Sequence, residues 1–552
     1  MHRMRVPAIS LISLAVVLAL STGTGVRTQD ADELIEQQQL AKQLLASPLA
    51  DYLSGSGLNH ARLMSGAVSA YGNLRALKAG TGRLALPFES RRFQVMVNDP
   101  AQDQNELSDV STQSETGVAG FGNVVVVTYN DSAAFQFVPS FMGYSRSADG
   151  GETFTDLGPV PPFAIPVIGI NGGDPAVAVD RAGNFYTAHL TTVPTPTIRP
   201  TGFGSAIGIH KSTDDGLTWG PPVYPATPGV KVNSTQDKEF IAVDTSGGAH
   251  DGNVYVSWTS IGGITPPGGS PNPPIVFSRS TNGGASFSVP IQISPVGDST
   301  QGSEPAVGPN GEVYVAWLRF SGPSPGPGLP PLGRAIMVAK SVDGGASFGP
   351  AVEVTPVNTI GFGNTALVTR LKGNFRVNSF PRIDVNPTNG EVYIVYNGNP
   401  EGPDGSDIFF TRSADGGASW STPVRVNQDH SDNDQYFPDI AVNGQGVLEI
   451  IWYDQRLDPR NLLIDVFKVR SRDGGRSFGP DQRVTMGSAA PAVGFDPLVN
   501  TNFMGDYIDI KAITTADGRG SAFLLSWGDF RRVIVTDGGT RPDQDVVFAI
   551  DR

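Results

Sequence analysis

The chain has 552 residues, with 39 Lys and Arg against 53 Asp and Glu and a formal net charge of −14. That balance argues against nucleic acid as a partner, because a protein that neutralises phosphates needs a basic face. The chain has no cysteine, which excludes a disulfide framework and thiolate chemistry, and its 67 Gly and 44 Pro point to a turn-rich, strand-built protein.

Residues 1–28 read as a secretory signal: His2, Arg3 and Arg5 make a basic start, Pro7 to Leu20 is apolar, and small residues follow at Ser21-Thr22-Gly23-Thr24-Gly25. The apolar run is short for a membrane span, and no later stretch is longer. The expectation is cleavage and a secreted, periplasmic or cell-surface protein, with an uncleaved anchor as the alternative. Residues 29–91 form a short helical or linker segment. Asp30-Ala31-Asp32-Glu33 suits a helix start, Leu34, Leu40, Leu44 and Leu45 make an apolar stripe, and Ala61 to Leu77 suits a second helix. A pro-segment or stalk is one reading of this segment; a partner-binding arm is the other.

From residue 92 the rhythm is that of β-strands. A first strand of the type Pro-x-Ile-Ala-Val is followed by a second of the type Gly-x-Val-Tyr-Val-x-Trp, seven times: Glu115–Tyr129, Asp174–His189, Glu239–Trp258, Glu304–Trp317, Phe380–Tyr396, Phe437–Tyr453 and Asp506–Trp527. The last unit ends in the third-strand-like run Asp545 to Ile550 and then runs out of chain. Residues 93–99, Phe-Gln-Val-Met-Val-Asn-Asp, match the fourth-strand run Pro423 to Asp429. An N-terminal strand that completes the last unit would close a ring and remove its long open edges.

Between third and fourth strands lies an eight-residue pattern: Ser, any residue, Asp, any residue, Gly, any residue, Thr or Ser, aromatic. It starts at Ser147, Ser212, Ser280, Ser341, Ser413 and Ser471, at intervals of 65, 68, 61, 72 and 58 residues. The Gly supplies positive φ, and Asp149, Asp214, Asp343, Asp415 and Asp473, with Asn282 in the third copy, accept the turn's own N–H groups. The aromatic residue is an apolar plug. The Asp-to-Asn exchange points to a structural turn.

The pattern resembles the Asp-box, or bacterial neuraminidase repeat, of the sialidase-like β-propellers. The resemblance covers residues 92–552 and implies an all-β fold, a single β-propeller. The repeats number seven four-stranded blades; six is the alternative, as in the sialidases. In that family the boxes staple blades away from the active face. Here the long insertions, among them Thr191–Ser205, Thr259–Pro274 and Asn358–Ser379, all fall on the opposite face, where binding is carried by loops on a rigid scaffold.

The resemblance implies three arginines on a substrate carboxylate, a Tyr nucleophile with a Glu partner, and an Asp acid. The family's first arginine lies in a Phe/Tyr-Arg-Ile-Pro motif; this chain has Glu89-Ser90-Arg91-Arg92-Phe93 in that place, and its closest echo is Phe380-Pro381-Arg382-Ile383. The candidates on the loop-rich face are Arg382, Arg456 and Arg531 with Asp454 and Asp506 for substrate binding, Tyr507 as nucleophile, Asp439 as acid and Glu304 as partner. First strands also bring Glu115, Asp174 and Glu239 to the channel mouth. The repeated grouping Tyr453-Asp454-Gln455-Arg456 and Trp527-Gly528-Asp529-Phe530-Arg531 has a second reading, an ion pair tying loop to loop. No organic cofactor is expected. Asp429, Asp432, Asn433 and Asp434, with Asp99, Asp103 and Glu106 in the matching place, make Ca²⁺ a candidate; a solvated polar loop is the other reading.

Two functions follow. One is a secreted propeller acting on or binding a glycan or glycoconjugate, including exo-sialidase-type hydrolysis. The other is a non-catalytic propeller that binds a protein or cell-surface polymer.

Overall fold

A computed structural model describes residues 94–552 apart from 103–109, 137–139, 162–169, 195–202, 226–234, 262–271, 324–332, 359, 361–368, 374, 401–403, 497, 515–519 and 537–538. The signal and helical readings for residues 1–91 lie outside the described residues, as do Asp103 and Glu106.

The fold is a seven-bladed β-propeller. Each blade is an antiparallel meander, as in blade four: Ser299–Val307, Val313–Ser321, Ala335–Ser341 and Val352–Pro356 pair in that order. The innermost strands touch in sequence order around the axis, and that of blade seven, Asp509–Thr514, returns to that of blade one, Gln113–Phe121. Blade seven takes its outer strand from the other end of the chain, Val95–Met96 pairing with Asp545–Asp551. Blade two has three strands and a single bridge, Ile209 to Val223, in place of a fourth. Pro221, Pro222 and Pro225 flank Val223 and have no N–H to give a ladder. Among the described residues no helix is long and apolar enough to cross a membrane.

The repeated turns are built alike. In the first, Ser147 Oγ donates to Asp149 Oδ1 at 2.7 Å, Gly151 N donates to Ser147 Oγ at 2.9 Å, and Thr153 donates its N–H and hydroxyl to the two oxygens of Asp149 at 2.9 and 2.6 Å. Asn282 keeps the frame by reversing one bond, its Nδ2 donating to Ser286 Oγ at 2.8 Å. The aromatic that ends the turn packs on the third strand of the preceding blade: Phe154 on Phe548 at 5.1 Å, Trp219 on Tyr144 at 5.8 Å, Phe348 on Phe277 at 4.7 Å and Phe478 on Phe410 at 5.2 Å between ring centroids. A Cβ on Gly151, Gly345 or Gly475 would stand 2.3–2.7 Å from those same rings, so the turn needs Gly for space as well as for its positive φ.

A second repeat lies at the loop-rich ends of the inner strands. In five blades the pairing slips there, setting two residues opposite Tyr129, His189, Trp258, Trp317 or Trp452. The first residue of each bulge has positive φ: Glu115 at 53°, Asp174 at 56°, Lys238 at 54°, Gly302 at 69° and Phe437 at 49°. Four of the five are not glycine. In blades one to three the bulge residues are Glu115, Asp174 and Lys238, and their charges meet.

Candidate functional site

The axial charges form two tiers. In the upper tier, on the loop-rich side, Lys238 Nζ lies 2.8 Å from Glu115 Oε1, 3.1 Å from Asp506 Oδ2 and 3.4 Å from Asp174 Oδ2. Arg376 clasps Asp506 with two guanidinium nitrogens. Asn130 links blades one and two, donating to Glu115 Oε2 at 2.7 Å and accepting Asp174 N at 2.7 Å. Glu239 is 1 % exposed and neither carboxylate oxygen has a hydrogen-bond partner. Burial, and next the charge of Asp174, push the carboxyls of Glu115 and Glu239 well above the usual range. Burial also opposes ionisation of Asp506, but Arg376 and Lys238 outweigh it and hold Asp506 at about 2.

The lower tier centres on Arg382. Its Nε and Nη2 donate to the two oxygens of Asp439 at 3.0 and 3.1 Å, with Glu304 at 3.5 Å and Asp509 at 3.6 Å. The guanidinium lies over the rings of Phe240 at 4.3 Å and Tyr507 at 5.8 Å. Lys511 stands 3.0 Å from Asp509 and 4.0 Å from Glu304.

These carboxylates also bond the neighbouring blades. An innermost strand has a free edge facing the axis, where its N–H groups lack a ladder partner. Glu304 of blade four accepts Ile383 N of blade five at 3.0 Å, and Asp384 of blade five accepts Val442 N of blade six at 2.7 Å. Asp439 of blade six accepts Ile510 N of blade seven at 2.9 Å, and Asp509 of blade seven accepts Val118 N of blade one at 2.7 Å. Four successive junctions are stitched in the same direction. Asp384 lies two residues past the register of Glu304, Asp439 and Asp509, where blade five has Arg382; at that register blades one to three carry Gly117, Ala176 and Phe240.

The predicted site residues divide accordingly. Arg382, Asp439, Glu304 and Tyr507 do meet at the axis, and Asp506 lies in the tier above. The three arginines do not converge: the partners of Arg382 are axial, whereas Arg456 pairs with Asp454 at 2.6 Å and Asp481 at 2.6 Å, and Arg531 with Asp529 at 2.8 Å. The same aspartates accept the indole N–H of Trp452 at 2.7 Å and of Trp527 at 2.9 Å, so Trp-x-Asp-x-Arg is a local brace at the end of a second strand and Asp454 is consumed in it. Arg382 is 3 % exposed and already holds carboxylates. Tyr507 is 7 % exposed and donates its hydroxyl to Pro175 O at 3.2 Å. Burial first, then Glu115 and Asp174, push its phenol far above the usual range, the reverse of what a nucleophile needs. For Asp439 burial is outweighed by Arg382 and Lys511 and its carboxyl sits below the usual range, unsuited to a general acid at neutral pH. Burial pushes Glu304 up to about 7 against the pull of Arg382.

Lys238, Arg376, Asp384, Asp509 and Lys511 were missed from sequence. Asp509 and Lys511 had a signal, since Asp509-Ile510 matches Arg382-Ile383 and Asp439-Ile440 in the repeated first-strand pattern, and Lys511 then falls in the place of Asp384. Arg376 had none, because it precedes the strand, on the small hairpin of Thr369–Arg370 and Arg376–Val377.

The described residues of the Ca²⁺ reading bond within the chain. Asp429 accepts from Asn427 and Ser431, Asp434 accepts from Asn461 and Gly405, and Asn433 donates to the carbonyls of Gln455 and Asp458. Among the described residues no three Asp, Glu or His side chains converge as a metal site.

No protein-family model and no curated protein matches the sequence. Among solved structures the chain is similar to an α-L-arabinofuranosidase of Fusarium graminearum in complex with arabinobiose, at 14 % identity and a TM-score of 0.40 over 65 % of this chain and 92 % of that one. It is also similar to an ulvan lyase, at 11 % and 0.44 over 79 % and 94 %, and to the NanB sialidase from Streptococcus pneumoniae, at 8 % and 0.38 over 78 % and 85 %. At these scores the likenesses carry no functional weight, and the fold stands on the strand pairings above.

Proposed function

We propose that this protein is a glycan-binding propeller that recognises its ligand with the loop-rich face and does not run sialidase chemistry. The observation that carries this is the state of Arg382: its Nε–Nη2 edge is taken by Asp439, with Glu304 and Asp509 close by, so the guanidinium is 3 % exposed and already neutralised by carboxylates of its own chain. The glycan follows from the resemblance of the repeated turns and from the long loops on the face away from them.

One observation favours a hydrolase instead. Glu304 and Asp439 sit on one arginine, with Glu304 pushed up to about 7 and Asp439 down, the divergence that separates an acid from a base in two-carboxylate glycosidases.

The test is a panel of fluorogenic sialosides and other aryl glycosides, run beside a glycan array, with the parent protein, Tyr507→Phe and Glu304→Gln. Array binding shared by all three, with no turnover, is the expected result. Sialic acid release that disappears in Tyr507→Phe would overturn the proposal. Turnover of another glycoside, lost in Glu304→Gln and kept in Tyr507→Phe, would establish the hydrolase.

A further inference from the structure

The free axial edges are not finished alike around the ring. Glu304, Asp439 and Asp509 share one register and take Ile383 N, Ile510 N and Val118 N of the next blade. Gly117, Ala176 and Phe240 hold that register in blades one to three, so the amides that match Val118 N are Val177 N in blade two and Ile241 N in blade three. The side chains behind these two amides have no acceptor to offer: Gly117 ends at its Cα and Ala176 in a methyl group. A Cβ on Gly117 would stand 3.3 Å from Val177 N, so this amide faces the place that a carboxylate fills at the stitched junctions. Blade four has Pro305 at the matching position and no N–H to give.

Between these two halves the ring encloses a cavity of ≈ 400 Å³, in the range of small-molecule sites, roughly 300–1,000 Å³. Val177 and Ile241 line one side, and Glu304, Asp384, Asp509 and Lys511 line the other. It opens at Thr245 and Thr514, both exposed on the face of the repeated turns, and is shut at the other end by the layer of Lys238, whose ammonium sits 4.6 Å over the Tyr507 ring. The second wall still has capacity for hydrogen bonds. Asp384 is half-buried and accepts Val385 N and Val442 N, each at 2.7 Å, whereas a carboxylate has about four acceptor positions. The Lys511 side chain is 38 % exposed, and its ammonium has three donors, one of them directed to Asp509 at 3.0 Å.

A ligand that suits both walls must accept on one side and both donate and accept on the other. An anion meets three carboxylates against one lysine and is repelled. An ammonium group only donates, and leaves Val177 N and Ile241 N without an acceptor. A hydroxyl does both. We propose that the axial bore is a binding site, entered from the face of the repeated turns, for a neutral polyhydroxylated ring of the size of one hexose or cyclitol. Hydroxyl oxygens along one edge of the ring accept Val177 N and Ile241 N; those along the other donate to Asp384 and Glu304 and accept from Lys511. The site is separate from the loop-rich face and does not depend on its function.

Calorimetric titration of the full chain with D-glucose, D-galactose and myo-inositol tests this, with glucosamine and glucuronate as the charged counterparts. At least one neutral ring should saturate at one per chain, and the charged sugars should bind about tenfold more weakly or not at all. Ala176→Asp sets a carboxylate at the register of Asp509, in reach of Ile241 N. It should weaken the neutral ring by about tenfold while the thermal transition stays in place or rises. Ala512→Phe narrows the bore and should abolish binding. If no neutral ring saturates, the bore holds water only and the proposal fails. It fails also if a charged sugar binds as tightly, or if a folded Ala176→Asp or Ala512→Phe binds as the parent does, which would put the sugar elsewhere on the molecule. Should both variants unfold, weaker binding in Lys511→Met supports the site, and unchanged or tighter binding there overturns it.

Discussion

Arg382 is the residue on which the axis turns. It was singled out from sequence as part of a carboxylate clamp, and it does bind carboxylates, but those of its own chain. A guanidinium taken from water into this layer is stabilised only by close partners, and removing it strands Asp439, Glu304 and Asp509 together. Arg382→Ala should therefore destabilise the fold by about 3–5 kcal/mol, read as a shift in denaturation midpoint. A loss under about 1 kcal/mol would mean that water reaches the tier and screens it. Composition alone does not distinguish a buried, saturated arginine from an open one; Arg382, Arg456 and Arg531 look alike in sequence, and only the partners around each differ.

The repeated turn is the element that sequence described best. Its Ser, Asp and Gly bond one another within eight residues, so spacing alone specifies the geometry. Asp343 accepts Ser341 Oγ at 2.7 Å and Ser347 N at 2.9 Å, and the Ser347 hydroxyl as well. Asn282 does the same work in blade three with one bond reversed. Asp343→Asn should therefore be nearly neutral, whereas Asp343→Ala, which leaves the turn's donors to water, should cost about 1 kcal/mol in chemical denaturation. Equal losses in the two variants would show that the charge itself holds the turn. The bulge is the element that sequence did not show. It is set by the pairing of one strand with the next, and its first position takes Glu, Asp, Lys, Gly or Phe with no common residue type.

At the scale of the whole ring, buried titratable groups couple folding to pH. His189 and His210 stack at 4.9 Å inside blade two, His189 on Asn171 Oδ1 at 3.0 Å and His210 on Gly220 O at 2.7 Å. Burial lowers both, His210 to about 4, and each imidazole depends on staying neutral. The unfolded chain takes up these protons near pH 6.5, so their share of stability is complete above that value and is lost as pH falls toward 4. For His210 the share is about 3 kcal/mol. Buried Glu115 and Glu239 work in the opposite direction, since their raised carboxyls relieve a penalty on acidification. Comparison of the parent with His210→Asn separates the two effects: between pH 6.5 and 4 the variant should lose less stability than the parent. Parallel pH profiles would refute the assignment.

The ring itself was legible. Alternating first and second strands, seven times, with a C-terminal third strand left short of a partner, specify a β-propeller, because side-chain alternation and turn chemistry act over neighbouring residues. Blade two shows where that reading stops: the prolines beside Val223 leave a single bridge in place of a fourth strand. The axial site was legible only as a set of charged first-strand positions. Its meaning depends on distances between blades that stand far apart in the chain, such as Asp439 to Ile510 N and Asp509 to Val118 N. Local patterns therefore settled the architecture from sequence alone. Only tertiary structure decided that Arg382 is held by Asp439, Glu304 and Asp509 and that these carboxylates also take free edge amides, since the low-dielectric interior makes a charge's behaviour depend on neighbours that sequence order does not specify.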